Sequence, residues 1–224
     1  MARNIEDLEK LWREIAAKEE PSNMELQQVE EVVREILTEY PLSALACELR
    51  YQRGIYTLRE EEGIGSERLA RALVEFREGI NAADKLGDKA EPWRSLNRTQ
   101  IAVCLGRLGN VKDATTELKT VSNYRPRSVM GLGALTLLVD LLKEDFPRDA
   151  KRYNNQKLSY VRALVRENKE SPELPYFRLL LAEELLVSEY ADEGRRLMQE
   201  LASLSADVLG EDLYAEIQER WKSI

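Results

Sequence analysis

The stretch SLNRTQIAVCLGRLGNVKDATTELKTVSNYRPRS, residues 95–128, decides the fold. Its small residues Ala102 and Ala114 stand twelve positions apart on either side of Gly109, so two antiparallel helices can approach closely there. Larger apolar residues fill the space between the helices, at Ile101, Leu105, Leu118 and Val121. The stretch therefore predicts a helical hairpin with Gly109 in its turn.

This hairpin resembles a tetratricopeptide repeat, a unit of about 34 residues. The family places small residues at the eighth and twentieth positions of the repeat, here Ala102 and Ala114, and a proline near its end, here Pro126. The twelve-residue spacing recurs at Ala182 and Gly194. The resemblance implies an all-α fold, a right-handed superhelix of antiparallel helical hairpins that binds other proteins.

Apolar residues recur every three or four positions along the rest of the chain, which predicts one array over 1–224 with about eleven helices. Its successive parts are an N-terminal hairpin (1–40), a long divergent hairpin (41–90), the clearest repeat (95–128), a second divergent hairpin (129–170), a further repeat (175–208) and a capping helix (209–224). The register of 41–90 stays open, because either Ala46 or Gly54 fits the close-contact position. Ser66 is a candidate cap for the helix that follows, and Leu209 is placed in the capping helix.

The composition favours helices and a protein without a membrane span. Of 224 residues, 43% are hydrophobic and 33% charged, with only 11 glycines and 7 prolines to interrupt helices. No apolar run approaches the roughly 18 residues that cross a bilayer, and the first residues lack the apolar core of a secretory signal. We expect a soluble, cytoplasmic protein.

The net charge of −8 is unevenly distributed. Acidic side chains outnumber basic ones by 11 to 5 over 1–40 and by 12 to 5 over 171–224. Basic side chains are in slight excess between these ends, 15 to 12 over 41–128 and 8 to 6 over 129–170. This excess is compatible with an acidic partner, but it falls short of the clustered basic face that nucleic-acid binding requires.

The residue types that carry most catalytic and metal chemistry are scarce. The chain has no histidine and only two cysteines, Cys47 and Cys104, both among apolar helical residues. We therefore expect two reduced core thiols, no zinc and no cofactor.

Four short motifs are assigned structural roles. Gly63-Ile64-Gly65 is interpreted as a linker because it follows a charged helix and lacks the rest of a phosphate loop. Gly131-Leu132-Gly133 is expected to allow close helix contact. The triplet Asn97-Arg98-Thr99 lies in a predicted helix, which argues against glycosylation, and Glu60-Glu61-Glu62 is interpreted as a solvated helix face.

The resemblance also implies a concave groove lined by the first helix of each hairpin. From the clearest repeat, the exposed groove residues would be Leu96, Thr99, Val103 and Arg107. From the later repeat, they would be Tyr176, Leu179, Glu183 and Leu186. Arg94 and Arg98 lie on or beside the first of these helices, and Arg50, Arg53 and Arg59 lie on the preceding long helix. Family members that bind a terminal carboxylate use lysine and asparagine where this chain has Thr99 and Val103, so that binding mode is not expected.

We therefore expect a non-catalytic adaptor or scaffold that binds a protein or peptide through apolar anchors with charged flanks. Several alternatives stay open. The groove residues could instead contact the protein's own terminal helices, the central arginines could bind RNA, and carboxylates or lysines alone could support an enzyme. Finally, Trp12, Val32 and Val33 could form a homodimer interface rather than a core.

Overall fold

The computed structural model describes residues 3–18, 22–59 and 65–224. All regular structure in these residues is helical, which confirms the predicted all-α class. Eleven α-helices have 12 or more residues, in agreement with the expected number, and a single turn, α11, separates the last two. The helices are α1 (Ile5–Ala16), α2 (Asn23–Glu39), α3 (Ala44–Arg59), α4 (Ser66–Leu86), α5 (Glu91–Arg107), α6 (Val111–Asn123), α7 (Val129–Leu142), α8 (Pro147–Glu167), α9 (Leu174–Leu186), α10 (Ala191–Ala202), α11 (Ala206–Leu209) and α12 (Glu211–Lys222).

The chain divides into two compact units, Met1–Glu117 and Leu118–Ile224, with the boundary inside α6. A single array over both units stays a prediction. None of the described helices combines the length and the apolar composition needed to cross a membrane.

An apolar cluster in the first unit joins α1, α2 and α3. Its buried members are Leu8, Trp12, Val32, Ile36, Leu45 and Leu49. Because apolar residues recur at helical spacing in α1 and α2, each of these helices presents an apolar face to the cluster. Trp12 is 6% exposed and Val32 is fully buried, so these two side chains fill the core of their own chain. For Trp12 and Val32 the core is therefore the alternative that holds, whereas Val33 is half-buried and a homodimer stays a prediction.

Helices α5 and α6 form the hairpin predicted at Gly109. This glycine has a φ of 79°, in the left-handed region that glycine enters without steric cost. The amide of Asn110 then donates a hydrogen bond of 2.9 Å back into the last turn of α5. Across the hairpin, Arg98 of α5 and Glu117 of α6 form an ion pair of 2.7 Å.

Close helix contacts occur at the small residues predicted to permit them. Ala102, Ala114, Ala182 and Gly194 are all buried. A Cβ added to Gly194 of α10 would lie 2.8 Å from the amide nitrogen of Leu186 and 3.0 Å from the carbonyl oxygen of Ala182, both in α9. The backbones of α9 and α10 therefore approach so closely that no side chain fits between them.

Two other glycines have a similar role. A Cβ at Gly54 of α3 would overlap the ring of Phe76 in α4, so Gly54 is a position of close contact. Ala46, the other candidate, is also buried, and the repeat register of 41–90 stays a prediction. At Gly131 of α7, a Cβ would overlap the hydroxyl of Tyr160 in α8, as expected for a close contact. Gly133 is different: it is exposed, and no atom lies within 4 Å of its Cβ position, so the expected close contact is wrong there.

Some predicted helix ends need correction. Ser66 does not cap α4, because it is the first helical residue and Gly65 is the N-cap, without a side-chain hydrogen bond. Leu209 does not belong to the last helix, because Gly210, with a φ of 80°, separates α11 from α12. The three carboxylates Glu60-Glu61-Glu62 and the first two residues of the predicted linker, Gly63 and Ile64, lie outside the described residues.

In the second unit, helices α9 to α12 share one apolar cluster. Its buried members are Leu179, Ala182, Met198, Leu201, Leu209 and Ile217. Leu213 and Trp221 of α12 pack against this cluster, while residues such as Glu216 and Glu219 remain exposed. The apolar residues of α12 thus contact its neighbours and its charged residues face solvent.

The close contact at Gly194 can be tested by adding one methyl group. We expect Gly194→Ala to lower the free energy of unfolding by about 1–3 kcal/mol, because the new Cβ must displace the backbone of α9. The matched control is Gly133→Ala, which adds the same group to an open helical position and should raise stability by roughly 0.5–1 kcal/mol. Urea denaturation measures both changes. Equal effects of the two substitutions would contradict the close approach of α9 and α10.

Candidate binding surfaces

Helix α5 distributes the predicted groove residues over two opposite faces, since successive residues are rotated by about 100°. One face, here called the α5 face, carries Leu96, Thr99, Val103 and Arg107. The opposite face carries Arg94, Arg98, Ile101 and Leu105. The α5 face is half-buried along its length, except for the exposed Arg107. The six candidates of this helix therefore cannot line a single groove.

Arg94 is a buried structural residue. Its side chain forms ion pairs of 2.8 Å with Asp84 and with Glu91. It also donates hydrogen bonds to the carbonyl oxygens of Ala83 at 3.0 Å and Gly87 at 3.1 Å. These carbonyls lie at and just beyond the end of α4, where the helix itself offers no partner. Arg94 is 9% exposed, so its assignment to an open groove is wrong.

The triplet that begins at Asn97 is helical, as predicted. Asn97 is fully buried, and its Nδ2 donates a hydrogen bond of 2.8 Å to the carbonyl of Trp93. Its side chain occupies the space beside Gly79 of α4, where a Cβ would lie 2.7 Å from Asn97 Oδ1. Asn97 is therefore a packing residue between α4 and α5.

Two of the four groove candidates of α9, Leu179 and Glu183, contact the protein's own C-terminal helix. Three of the four are half-buried: Tyr176, Glu183 and Leu186. Leu179 is 1% exposed and belongs to the same apolar cluster as Ile217 of α12, so the expectation that it is exposed is wrong. Arg220 of α12 approaches Glu183, with Nε 3.4 Å from Oε1. For Leu179 and Glu183, contact with the terminal helix is thus the alternative that holds.

Several arginines of the mildly basic central region are paired with carboxylates. Arg50 of α3 forms ion pairs with Glu75 at 2.7 Å and Glu78 at 2.5 Å, both in α4. Arg53 also pairs with Glu75, at 3.1 Å, whereas Arg59 is exposed at the end of α3. A nucleic-acid phosphate would have to displace these carboxylates. The pairing therefore weighs against an RNA-binding surface on α3.

A cavity of about 170 Å³ opens on the α3 side of α4 in the first unit. Its apolar lining residues are Leu37, Pro41, Leu42 and Ala82. Leu42 is 48% exposed, which is high for a leucine, and the ion-paired Arg50 and Glu78 lie at the rim with Lys85. The cavity thus combines an accessible apolar surface with a charged edge.

A second cavity, of about 350 Å³, opens on the α5 side of the same helix. Its buried apolar lining residues are Ile80, Ile101 and Leu105. Its polar lining residues are Arg77, Asn81, Arg98, Asp113 and Glu117. Arg98, Ile101 and Leu105 all come from the side of α5 opposite to the α5 face. The cavity is therefore a different surface from the groove that the resemblance implies.

The two cavities meet at Asn81, which lines both. Arg77, Asn81 and Lys85 are exposed and spaced four residues apart, so they form a stripe along one side of α4. We call this stripe and its two flanking cavities the α4 groove. The sequence alone does not predict this surface. The four-residue spacing of Arg77, Asn81 and Lys85 is visible in the sequence, but the helices that flank it are not.

The two cysteines are buried thiols, as predicted. Neither Cys47 nor Cys104 forms a disulfide. Burial raises the pKa of each thiol to about 11, while the charges of Arg94 near Cys47 and Arg107 near Cys104 oppose this shift. Within the described ranges, no group of three or more cysteine, aspartate or glutamate side chains is arranged to hold a metal ion.

No protein-family model matches the sequence, and no curated protein sequence matches it.

Arg94 should be essential for the stability of the first unit. Arg94→Met keeps much of the side-chain volume but leaves Asp84, Glu91 and two carbonyls without their partner, so we expect a loss of about 2–4 kcal/mol. Arg107→Met removes an exposed arginine from the same helix and should change stability by less than about 0.5 kcal/mol. Denaturation in urea compares the two variants. Similar stabilities would contradict the structural role of Arg94.

Glu183 should make a pH-dependent contribution to stability. Burial raises the pKa of Glu183, helped by Glu216 and Glu184 and opposed by Arg220. The folded state therefore binds this proton more tightly than the unfolded state, and the contribution of Glu183 to stability falls as pH rises above its unfolded pKa.

Glu183→Gln removes this titration. From pH 4 to pH 7, the free energy of unfolding of the wild type should decrease relative to that of Glu183→Gln. Urea denaturation at several pH values measures the difference between the two proteins. If the free energy of unfolding of the wild type instead increased with pH relative to that of Glu183→Gln, the ion pair with Arg220, rather than burial, would determine the pKa of Glu183.

Proposed function

We propose that this protein is a non-catalytic adaptor or scaffold, built as a tetratricopeptide-like array, that holds a segment of a partner protein in the α4 groove. The observation that carries this proposal is the pair of adjoining cavities on either side of α4, one of which has the half-exposed Leu42 in its lining. Concave surfaces with apolar floors and charged rims are typical of sites that bind peptide segments.

The repeat-like construction supports the proposal. Buried small residues at the twelve-residue spacing, Ala102 with Ala114 and Ala182 with Gly194, fit hairpins that stack through close helix contacts. We further propose that the hairpins continue as a right-handed superhelix. A rigid array presents a binding surface whose lining is already ordered, which reduces the entropy lost on binding.

The position of the groove differs from that implied by the family resemblance. Two predicted groove residues of α9 contact α12. Leu179 shares an apolar cluster with Ile217, and Glu183 forms an ion pair with Arg220. On α5, the accessible cavity lies opposite the α5 face. These contacts favour the α4 groove over the concave surface as the principal site, with the α5 face as a secondary candidate.

The side chains of the α4 groove also fit binding better than catalysis. Glu117 is held by Arg98 at 2.7 Å, and Asp113 accepts a hydrogen bond of 2.7 Å from Asn110. These carboxylates are thus engaged in structural contacts rather than positioned as an acid–base pair. We also propose a cytoplasmic location, because free thiols such as Cys47 and Cys104 are usual in a reducing compartment.

Site-specific photocrosslinking in cells tests the proposal. A benzophenone amino acid at position 81, in place of Asn81, should give discrete crosslinked protein products because that side chain borders both cavities. The control is the same amino acid in place of Gln199, an exposed residue of the second unit. The absence of products at position 81, or identical products at both positions, would contradict binding in the α4 groove.

A further inference from the structure

We infer that the ligand of the α4 groove is an acidic segment of a partner protein with two apolar anchor residues. This inference rests on the proposed function and specifies the chemistry of its ligand. It follows from the charges along the stripe on α4, the separation of the two cavities and the residue types that line them.

The first observation concerns the charged side chains that line the α4 groove. Within the α4 groove, Arg50 is paired with Glu78 and Arg98 with Glu117. Among the described residues, in contrast, no carboxylate oxygen lies within 4.0 Å of the charged nitrogens of Arg77 or Lys85. These two cations are eight residues apart on one side of α4, which corresponds to about 12 Å along the helix. The groove lining also includes Asp113, so its four cations and three carboxylates leave a net charge of +1, which should attract an acidic segment at Arg77 and Lys85.

The separation of the cavities sets the spacing of the anchors. One cavity is lined by Leu37 and Leu42, and the other by Ile101 and Leu105, with α4 between them. A helix with its side chains is about 10–12 Å wide. An extended segment advances about 3.3 Å per residue, so its two anchors should be about three to four positions apart. Arg77 lines only the second cavity and Lys85 only the first, so each acidic residue of the segment should lie next to one of the two anchors.

The lining residues favour a protein segment over single-stranded RNA. Proteins that bind single strands without sequence preference combine cations with aromatic side chains on which bases stack. All lining residues of both cavities belong to the described part of the chain, and none of them is aromatic. The α4 groove offers apolar pockets instead, which suit aliphatic or aromatic side chains of a peptide.

The test uses defined peptide pools on the intact protein. The acidic pool contains fluorescent peptides with two leucines separated by three positions that carry only glutamate, serine or glycine. A second pool replaces glutamate with lysine, and a third replaces both leucines with serine. Fluorescence anisotropy at low salt should show that the acidic pool binds about tenfold more tightly than either of the others.

Matched charge reversals locate the binding. Arg77→Glu should weaken binding of the acidic pool by about fivefold, because it replaces an attraction by a repulsion. Arg71→Glu makes the same charge change at an exposed residue of α4 outside both cavities and should leave binding unchanged. Both residues are exposed, and thermal unfolding verifies that the variants are folded.

Three outcomes would overturn the inference: equal binding of the acidic and lysine pools, equal effects of the two charge reversals, or binding of an oligouridine RNA that depends on Arg77. Crosslinking at position 81 separates this inference from the proposed function. If position 81 captures a protein but the acidic pool does not bind, only the ligand chemistry is wrong. If both experiments fail, the proposed function falls as well.

Discussion

The fold depends on the close approach of neighbouring helices at positions where a side chain is missing or is only a methyl group. At Gly194 the neighbour is the backbone of α9, at Gly54 it is the ring of Phe76, and at Gly131 it is the phenol of Tyr160. Each contact fixes one helix against the next at a defined height, because a shift along the helix axis would bring a larger side chain into the same space. The contact at Gly54 sets the register of α3 and α4, both of which line the smaller cavity.

Ion pairs between charged residues also determine which helices lie next to each other. Ion pairs link α3 to α4 through Arg50, α5 to α6 through Arg98, and α8 to α10 through Arg162 and Glu193 at 2.8 Å. An exposed pair such as Arg162 and Glu193 contributes little stability, and the partly buried pairs of Arg50 and Arg98 also select one neighbour and one orientation. Some of the charged residues are thus used between helices, which is why a segment with a basic excess need not be a surface for nucleic acid.

The sequence was sufficient for the helices and for the turn at Gly109, because periodic apolar residues and a glycine without steric restriction are local signals. It also predicted the burial of Ala102 and Ala114, where small residues stand in large apolar surroundings. It failed for Arg94 and Leu179, since burial depends on which helices lie opposite. A sequence pattern shows that a helix has two sides, but not which side a neighbour covers.

The same limitation hid the α4 groove. Asn81 and Lys85 are ordinary exposed residues of a long helix until Leu42 on one side and Ile101 on the other are placed beside them. Such a surface arises from three separate parts of the chain. Its chemistry can be read from the sequence only after the packing of α3, α4 and α5 is known.

The buried thiols have a practical consequence for measuring the stability of this molecule. With a pKa of about 11, each thiol is almost entirely protonated at neutral pH, and burial shields it from reagents such as iodoacetamide. Cys47 and Cys104 both belong to the first unit. Alkylation therefore requires opening of the structure around each thiol, and its rate records how often the helices that cover Cys47 and Cys104 open.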